Sequence, residues 1–167
     1  KGKGGFYRLA GDGSENAINL GDGLTRPRTK TLPALAEAAA MLQASGDEPI
    51  NALIDAPIDN GDDAHHRFAR RVLARVLGYA ASLIPEVTPS PQDIDDAMKL
   101  GFNWVRGPFE MMDAIGKGRM RELLEEADMM VPPVLADDEP FYKAEGETLS
   151  VQVFEDSAPA YAPVALP

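Results

Sequence analysis

Apolar residues along this chain recur mainly at three- and four-residue steps, a spacing that predicts helices. The longest such run is Phe68, Val72, Val76, Leu77, Ala80, Leu83, Ile84 and Val87. It predicts a helix starting at Asp62 or Asp63, ending near Val87, and forming the centre of the core. Arg67, Arg70, Arg71 and Arg75 flank the run and read most simply as a solvated face. An earlier helix is expected from about Leu32 to Ala44, with Leu35, Ala38, Ala39 and Leu42 on one side. Thr31 is placed to cap it, Pro33 suits its first turn, and Gly46 can end it. Ser90-Pro91-Gln92-Asp93 is a helix start, with Ser90 as cap, Pro91 at the first helical position and Asp93 at the positive end. Ile94, Ala97 and Met98 should face inward, and Gly101 should end that helix. Phe102-Asn103-Trp104 then forms an aromatic loop, with Trp104 and Phe109 expected in the core. Gly107-Pro108 restarts a helix through Phe109, Met112 and Ile115 to Gly116. A last helix is expected over Arg119 to Met129, through Met120, Leu123, Leu124 and Ala127, stopped by Pro132-Pro133.

The two ends carry a different pattern. Gly5 to Leu9 and Ala17 to Leu20 flank Gly11-Asp12-Gly13 and suggest a small hairpin or an irregular loop, followed by a loop from Gly21 to Arg28. Pro140 to Lys143 and Leu149 to Phe154 can pair through Glu145-Gly146, with Val151 and Val153 on one face. Asp55 to Asp63 is turn-like around Pro57, Asn60 and Gly61, and Pro159, Pro163 and Pro167 make the tail read as a linker. The expected fold class is mainly α with short β-hairpins at the ends. The expected organisation is a lead-in over 1–30, a helical domain over 31–156 and a Pro-rich linker over 157–167.

Charge narrows the partners. Against 16 Lys and Arg stand 27 Asp and Glu, a net charge of −11. Nucleic acid phosphates would be repelled by such a chain, and a basic membrane-surface patch is not expected. No cysteine occurs, which excludes disulfides, thiolate metal sites and a cysteine nucleophile, and is compatible with a cytoplasmic location. No apolar run approaches the roughly 20 residues of a membrane helix. The opening Lys1-Gly-Lys-Gly-Gly-Phe-Tyr-Arg8 reads like the interior of a longer protein, so an excised fragment is expected.

Candidate chemistry is thin. Gly2-Lys3-Gly4-Gly5, Gly11-Asp12-Gly13 and Gly21-Asp22-Gly23 lack the strand-to-helix setting and spacing of a dinucleotide or phosphate loop. His65 and His66, the only histidines, are adjacent, so on a helix they diverge by about 100° and do not converge on one metal. Asp55, Asp59, Asp62 and Asp63 lack the alternation of a calcium loop and suit turns and caps. Asp93, Asp95 and Asp96 open a helix, where negative charge is favoured, and no acid–base carboxylate pair stands out. The expected site is therefore empty: catalytic none, cofactor-binding none, metal none.

The stretch from Asp93 to Gly116 is more informative. Physically it is a capped helix, an aromatic corner and a second helix begun by Gly-Pro. Its residues Ile94, Asp95, Ala97, Met98, Gly101, Phe102, Trp104, Gly107, Pro108, Phe109, Glu110, Asp113, Ile115 and Gly116 resemble a signature of the 3-hydroxyacyl-CoA dehydrogenase family, in its C-terminal helical domain. Gly4-Gly5-Phe6-Tyr7 resembles the close of the first of two helical repeats in that family. Leu77 through Glu86 and Phe141-Tyr142-Lys143 resemble parts of the second.

The resemblance implies a 6-phosphogluconate dehydrogenase C-terminal-like helical fold. It implies a parent enzyme of fatty acid β-oxidation that oxidises 3-hydroxyacyl-CoA with NAD. In the family, NAD and a His-Glu dyad belong to a Rossmann domain, and a substrate-orienting Asn belongs to the first repeat. All of these would precede Lys1. Asn51 and Asn103 lie outside that motif and inherit no role. The implied partners are the remainder of the chain: the Rossmann domain, the first repeat and, by likeness to bifunctional proteins, an enoyl-CoA hydratase domain after the tail. The second repeat would pack on the first as a pseudo-dimer, be inactive alone and be able to self-associate. Two other readings remain: a stand-alone helical interaction module, and an acyl-CoA-binding module using Arg67, Arg70, Arg71 and Arg75.

Overall fold

The computed structural model describes residues 5–28, 64–155 and 159–165. The helix expected from Leu32 to Ala44, the turn from Asp55 to Asp63, and Asn51 lie outside these residues. The chain divides into two compact units, Lys1–Glu37 and Ala38–Pro167.

In the first unit, β1 (Tyr7–Leu9), β2 (Glu15–Ile18) and β3 (Thr25–Pro27) form an antiparallel meander in that order. The expected hairpin is present, and the segment read as a loop supplies a third strand. Asn19 and Asp22 explain the difference. Their carboxamide and carboxylate oxygens accept the amides of Gly21 and Leu24, which tightens the turn enough to return the chain along β2.

The second unit is mainly helical. Its described helices are α1 (Ala64–Ser82), α2 (Pro91–Phe102), α3 (Pro108–Ile115) and α4 (Lys117–Glu126), followed by a 3-10 turn at Pro133–Leu135. A second sheet follows, with β4 (Tyr142–Glu145), β5 (Thr148–Val153) and β6 (Ala160–Pro163) antiparallel in that order. The hairpin turns through Gly146 at φ 63°, the place a two-residue type II′ turn gives to glycine. No described helix is long and apolar enough to cross a membrane.

The core joins Ala74, Leu77, Ala81 and Ile84 to Phe109 and Met112 of α3, Met120 and Leu124 of α4, and Val134, Leu135 and Phe141. Small residues on the inner face of α1 let α4 approach closely. A Cβ on Gly78 would stand 2.5 Å from Leu124 Cδ2.

Several expectations need correction. α1 ends at Ser82 rather than near Val87. Its broad apolar stripe divides: Leu77, Ala80 and Ile84 are buried, whereas Phe68 is 70% exposed and Val72 and Val76 lie open with Tyr79. Apolar spacing marks a face that excludes water without showing what covers it. Arg70, read as solvated, is only 8% exposed and is ion-paired with Glu126. Ser90 is the N-cap of α2 but makes no side-chain cap bond. Thr88 instead braces the approach to the helix, accepting the Ser90 amide and donating to the Asp93 carboxylate. α2 runs past Gly101 to Phe102, because Asn103 adopts the left-handed conformation at φ 55°, which a short polar side chain tolerates. Of the two aromatics expected inside, Phe109 is fully buried and Trp104 only partly. α4 begins at Lys117 and stops at Glu126, three residues short of Met129.

The tail also departs from a free linker. Residues 160–163 pair with β5. Tyr161 donates its hydroxyl to the Pro140 carbonyl, and Gln92 both donates to the Ala165 carbonyl and accepts its amide. Proline at an edge strand leaves the pairing intact.

Candidate functional site

The signature stretch folds into a buried polar corner that ties α2, α3 and β4 together. The N-cap of α3 is Gly107, which has no side chain with which to cap, and Pro108 at the first helical position has no N–H. The next two amides need an acceptor. Asp95, one turn into α2 and fully buried, supplies it: the Phe109 amide donates to Oδ1 at 2.8 Å and the Glu110 amide to Oδ2 at 3.1 Å. The Tyr142 hydroxyl donates to the same Oδ2 at 2.9 Å. Asp95 thus acts as an N-cap borrowed from another helix. A Cβ on Gly107 would stand 2.2 Å from Asp95 Cγ, so the borrowed cap requires glycine there. Glu110 closes the turn, accepting the Gly107 amide on Oε2 at 2.8 Å and Lys99 Nζ on Oε1 at 2.7 Å.

Asp113 repeats the device one turn later. Its two oxygens accept the consecutive amides of Phe141 and Tyr142 at 2.7 and 2.8 Å, fixing the entry to β4. Lys117, 3% exposed, donates to Asp137 and Gln152, both at 2.8 Å, and lies 4.1 Å from the Phe141 ring centroid. Phe109 meets Phe141 edge to face at 4.8 Å.

These surroundings shift protonation. Burial pushes the Asp95 carboxyl up to about 6, against the opposing pull of its bonds from Phe109, Tyr142 and Glu110. Burial also raises Asp113. Tyr142 is raised by burial and by the Asp95 charge beside it, so its hydroxyl stays a donor. Burial alone would raise Asp137, but the hydrogen bond and charge of Lys117 bring it below the usual carboxylate range.

Every oxygen of this corner is engaged with the protein's own amides, hydroxyls and ammonium groups. Its chemistry is that of a structural clasp. Asp95, read from sequence as serving its own helix, serves the next one. Lys117 was not anticipated as part of the arrangement, and its only sequence signal is a lysine directly after the Gly116 helix stop. Asp93 lies exposed at the start of α2, and Asp96 pairs with Lys99 at 3.3 Å. His65 and His66 fall in the first turn of α1. Among the described residues no group of three or more His, Asp or Glu could hold a metal. Arg67, Arg70 and Arg71 come together in one cleft, whose described lining does not include Arg75.

A helical unit closed by an Asp–Gly-Pro clasp and finished by a small sheet is the class of domain that fold and site define. Residues 68–156 match the family described as 3-hydroxyacyl-CoA dehydrogenase, C-terminal domain, and the chain belongs to that family. Among curated proteins it is similar to two called putative fatty acid oxidation complex trifunctional enzyme. The one from Rickettsia felis is 31% identical over 80% of this chain and 17% of that protein. The one from Rickettsia prowazekii is 31% identical over 83% of this chain and 18% of that protein. It is also similar to a probable 3-hydroxyacyl-CoA dehydrogenase of Bacillus subtilis, 37% identical over 53% of this chain and 12% of that protein. The chain therefore spans less than a fifth of the curated relatives it matches. No solved structure matches.

Proposed function

We propose that this chain is the second helical repeat of an NAD-dependent 3-hydroxyacyl-CoA dehydrogenase of fatty acid β-oxidation. In that reading the whole protein oxidises 3-hydroxyacyl-CoA to 3-oxoacyl-CoA. NAD is held by a Rossmann domain elsewhere in it, and an enoyl-CoA hydratase domain follows the tail. This chain is its packing and pseudo-dimer domain, with a 6-phosphogluconate dehydrogenase C-terminal-like helical fold and a cytoplasmic location. Residues 1–30 would close the preceding repeat.

The observation that carries the reading is the outer face of α1, inside the family match. Phe68, Val72 and Tyr79 are exposed there at helical spacing. Apolar side chains in such a row mark a surface that another body covers. In this reading the other body is the first repeat, and the chain's contribution to catalysis is to hold the acyl-CoA cleft in shape. Alone, the chain turns over nothing and self-associates through the open stripe.

The test is NADH oxidation with acetoacetyl-CoA, using the chain alone at high concentration and then a protein that also carries the Rossmann domain and first repeat. Turnover only in the longer protein is expected. Turnover by the chain alone would sink the proposal.

A further inference from the structure

Within the second unit, α1 and α4 enclose a cleft of about 330 Å³ lined by Arg67, Arg70, Arg71, Leu123, Glu126 and Asp128, with Ala127. Positions 67, 70 and 71 are three and four residues apart, so their side chains leave α1 on neighbouring lines of one flank. By sequence these arginines, with Arg75, suit either a solvated helix face or a basic pocket of an acyl-CoA-binding module. The fold brings three arginines of a chain with net charge −11 into the lining of one concavity.

The three are not equivalent. The Arg70 side chain is 9% exposed, and its Nη2 is held by Glu126 Oε2 at 2.5 Å. It is an ordered anchor at the back. Arg67 and Arg71 are exposed and form no ion pair with a described residue. Leu123, 2% exposed, gives the floor an apolar surface beside the charged groups. The Ala127, Asp128 and Met129 amides are all bonded to carbonyls of α4, so the turn offers a ligand no free N–H, and the arginines carry the recognition.

We propose that this cleft is a phosphoryl-anion subsite for a small organic phosphate, with Arg67 and Arg71 forking the phosphate and the organic part lying against Leu123. Planar guanidinium forks match a tetrahedral oxyanion with paired hydrogen bonds, which single ammonium groups do not. Glu126 is engaged by Arg70, so Arg67 and Arg71 are the cleft arginines left to meet the charge. The subsite does not depend on the dehydrogenase reading.

The experiment is amide chemical-shift titration of the intact chain with inorganic phosphate and with adenosine monophosphate, at constant ionic strength, with sulfate and chloride as reference anions. Saturable shifts are expected at residues 67–71 and 123–128, with the nucleotide binding more tightly than inorganic phosphate. The paired variant Arg67→Gln/Arg71→Gln alters exposed side chains and should keep the helical spectrum. It should weaken binding at least about tenfold, the scale of losing charge-assisted hydrogen bonds. Arg75→Gln, outside the cleft lining, should leave affinity unchanged. Shifts that do not saturate, that are matched by sulfate and chloride, or that survive in the paired variant would overturn the site. Binding of inorganic phosphate as tight as that of the nucleotide would overturn the organic ligand.

Discussion

The Asp95 corner and the outer face of α1 invert the usual arrangement of a folded domain in opposite ways. At the corner, charge is buried and fully paired: Asp95, Asp113 and Lys117 each meet two or more partners inside the protein. On α1, apolar side chains stand in water, with Phe68 at 70% and Tyr79 at 66% exposure. A buried carboxylate survives only where the fold supplies all its hydrogen bonds, so the corner reports on the domain's own integrity. An exposed apolar row costs the isolated domain little and has value only when covered, so it reports on something beyond the domain. Substitutions at the two regions should therefore separate stability from association.

The largest effect is expected at Asp95. Asp95→Ala strips two amides of α3 and the Tyr142 hydroxyl of their acceptor in a dry site. Loss of such a hub should cost about 3–5 kcal/mol, read from the urea midpoint of the chain. A loss below about 1 kcal/mol would mean that α3 does not need its borrowed cap.

The next effect is one of pH. Asp95 titrates at about 6 in the folded state against 3.8 ordinarily. Between these values the folded chain holds a proton that the unfolded chain has released. That contribution to stability is complete below the ordinary value and is lost as pH rises through 6, amounting to roughly 3 kcal/mol at most. Asp113, also raised by burial, acts in the same direction. Asp137 is lowered, so its contribution is present above the ordinary value and is lost as pH falls further. Urea melts across pH 4 to 7 should show stability declining with pH, and Asp95→Asn should flatten that slope. An equal slope in the variant would assign the proton elsewhere.

A somewhat smaller cost is expected at Gly107. Its φ of −74° suits any residue, so only space is at issue. Gly107→Ala places a methyl 2.2 Å from Asp95 Cγ and should cost about 1–3 kcal/mol as overpacking. Combined with Asp95→Ala, which vacates that space, the added methyl should cost much less, and a double-mutant cycle measures the coupling. Simple additivity would show that the glycine is required for another reason.

How much of this was legible beforehand differs between the two regions for a physical reason. Spacing identified α2 through α4 because helical periodicity is local, and Leu77, Ile84, Phe109, Met112 and Leu124 are core residues as expected. The family likeness singled out Asp95, Gly107, Pro108 and Asp113 as belonging together without their geometry. Asp95 reaches amides 14 and 15 residues away, and no periodicity spans a corner. Read by position alone, it sat in a helix opening where any acid is at home. α1 failed in the opposite direction. Its apolar period was correct, but its inner face includes Ala74, Gly78 and Ala81, small residues that a search for bulk undervalues. Phe68, Val72 and Val76 are bulkier, and their spacing merges them with Leu77, Ala80 and Ile84 into one stripe. The tail was misread because three prolines and small residues say nothing about whether an open strand edge waits nearby.

The smallest expected change in stability is also the sharpest test of the comparison. Phe68 and Val72 lie one turn apart on the open side of α1, about 180° from Ala74 and Leu77 at helical geometry. Replacing both with serine removes no described core contact, so unfolding free energy should move by no more than about 0.5 kcal/mol. Helix propensity changes little between these residues. What should change is association. Sedimentation velocity of the unaltered chain at high concentration should show a faster-moving species that the Phe68→Ser/Val72→Ser variant lacks. If both proteins run as monomers, the stripe does not suffice for self-association and the pseudo-dimer reading loses its physical support. If the variant associates as the parent does, the contact lies elsewhere, and the exposed apolar side chains of β1–β3 become the surface to alter next. If stability falls by several kcal/mol, the outer face of α1 is already covered within the chain, and the contrast between the two regions does not hold.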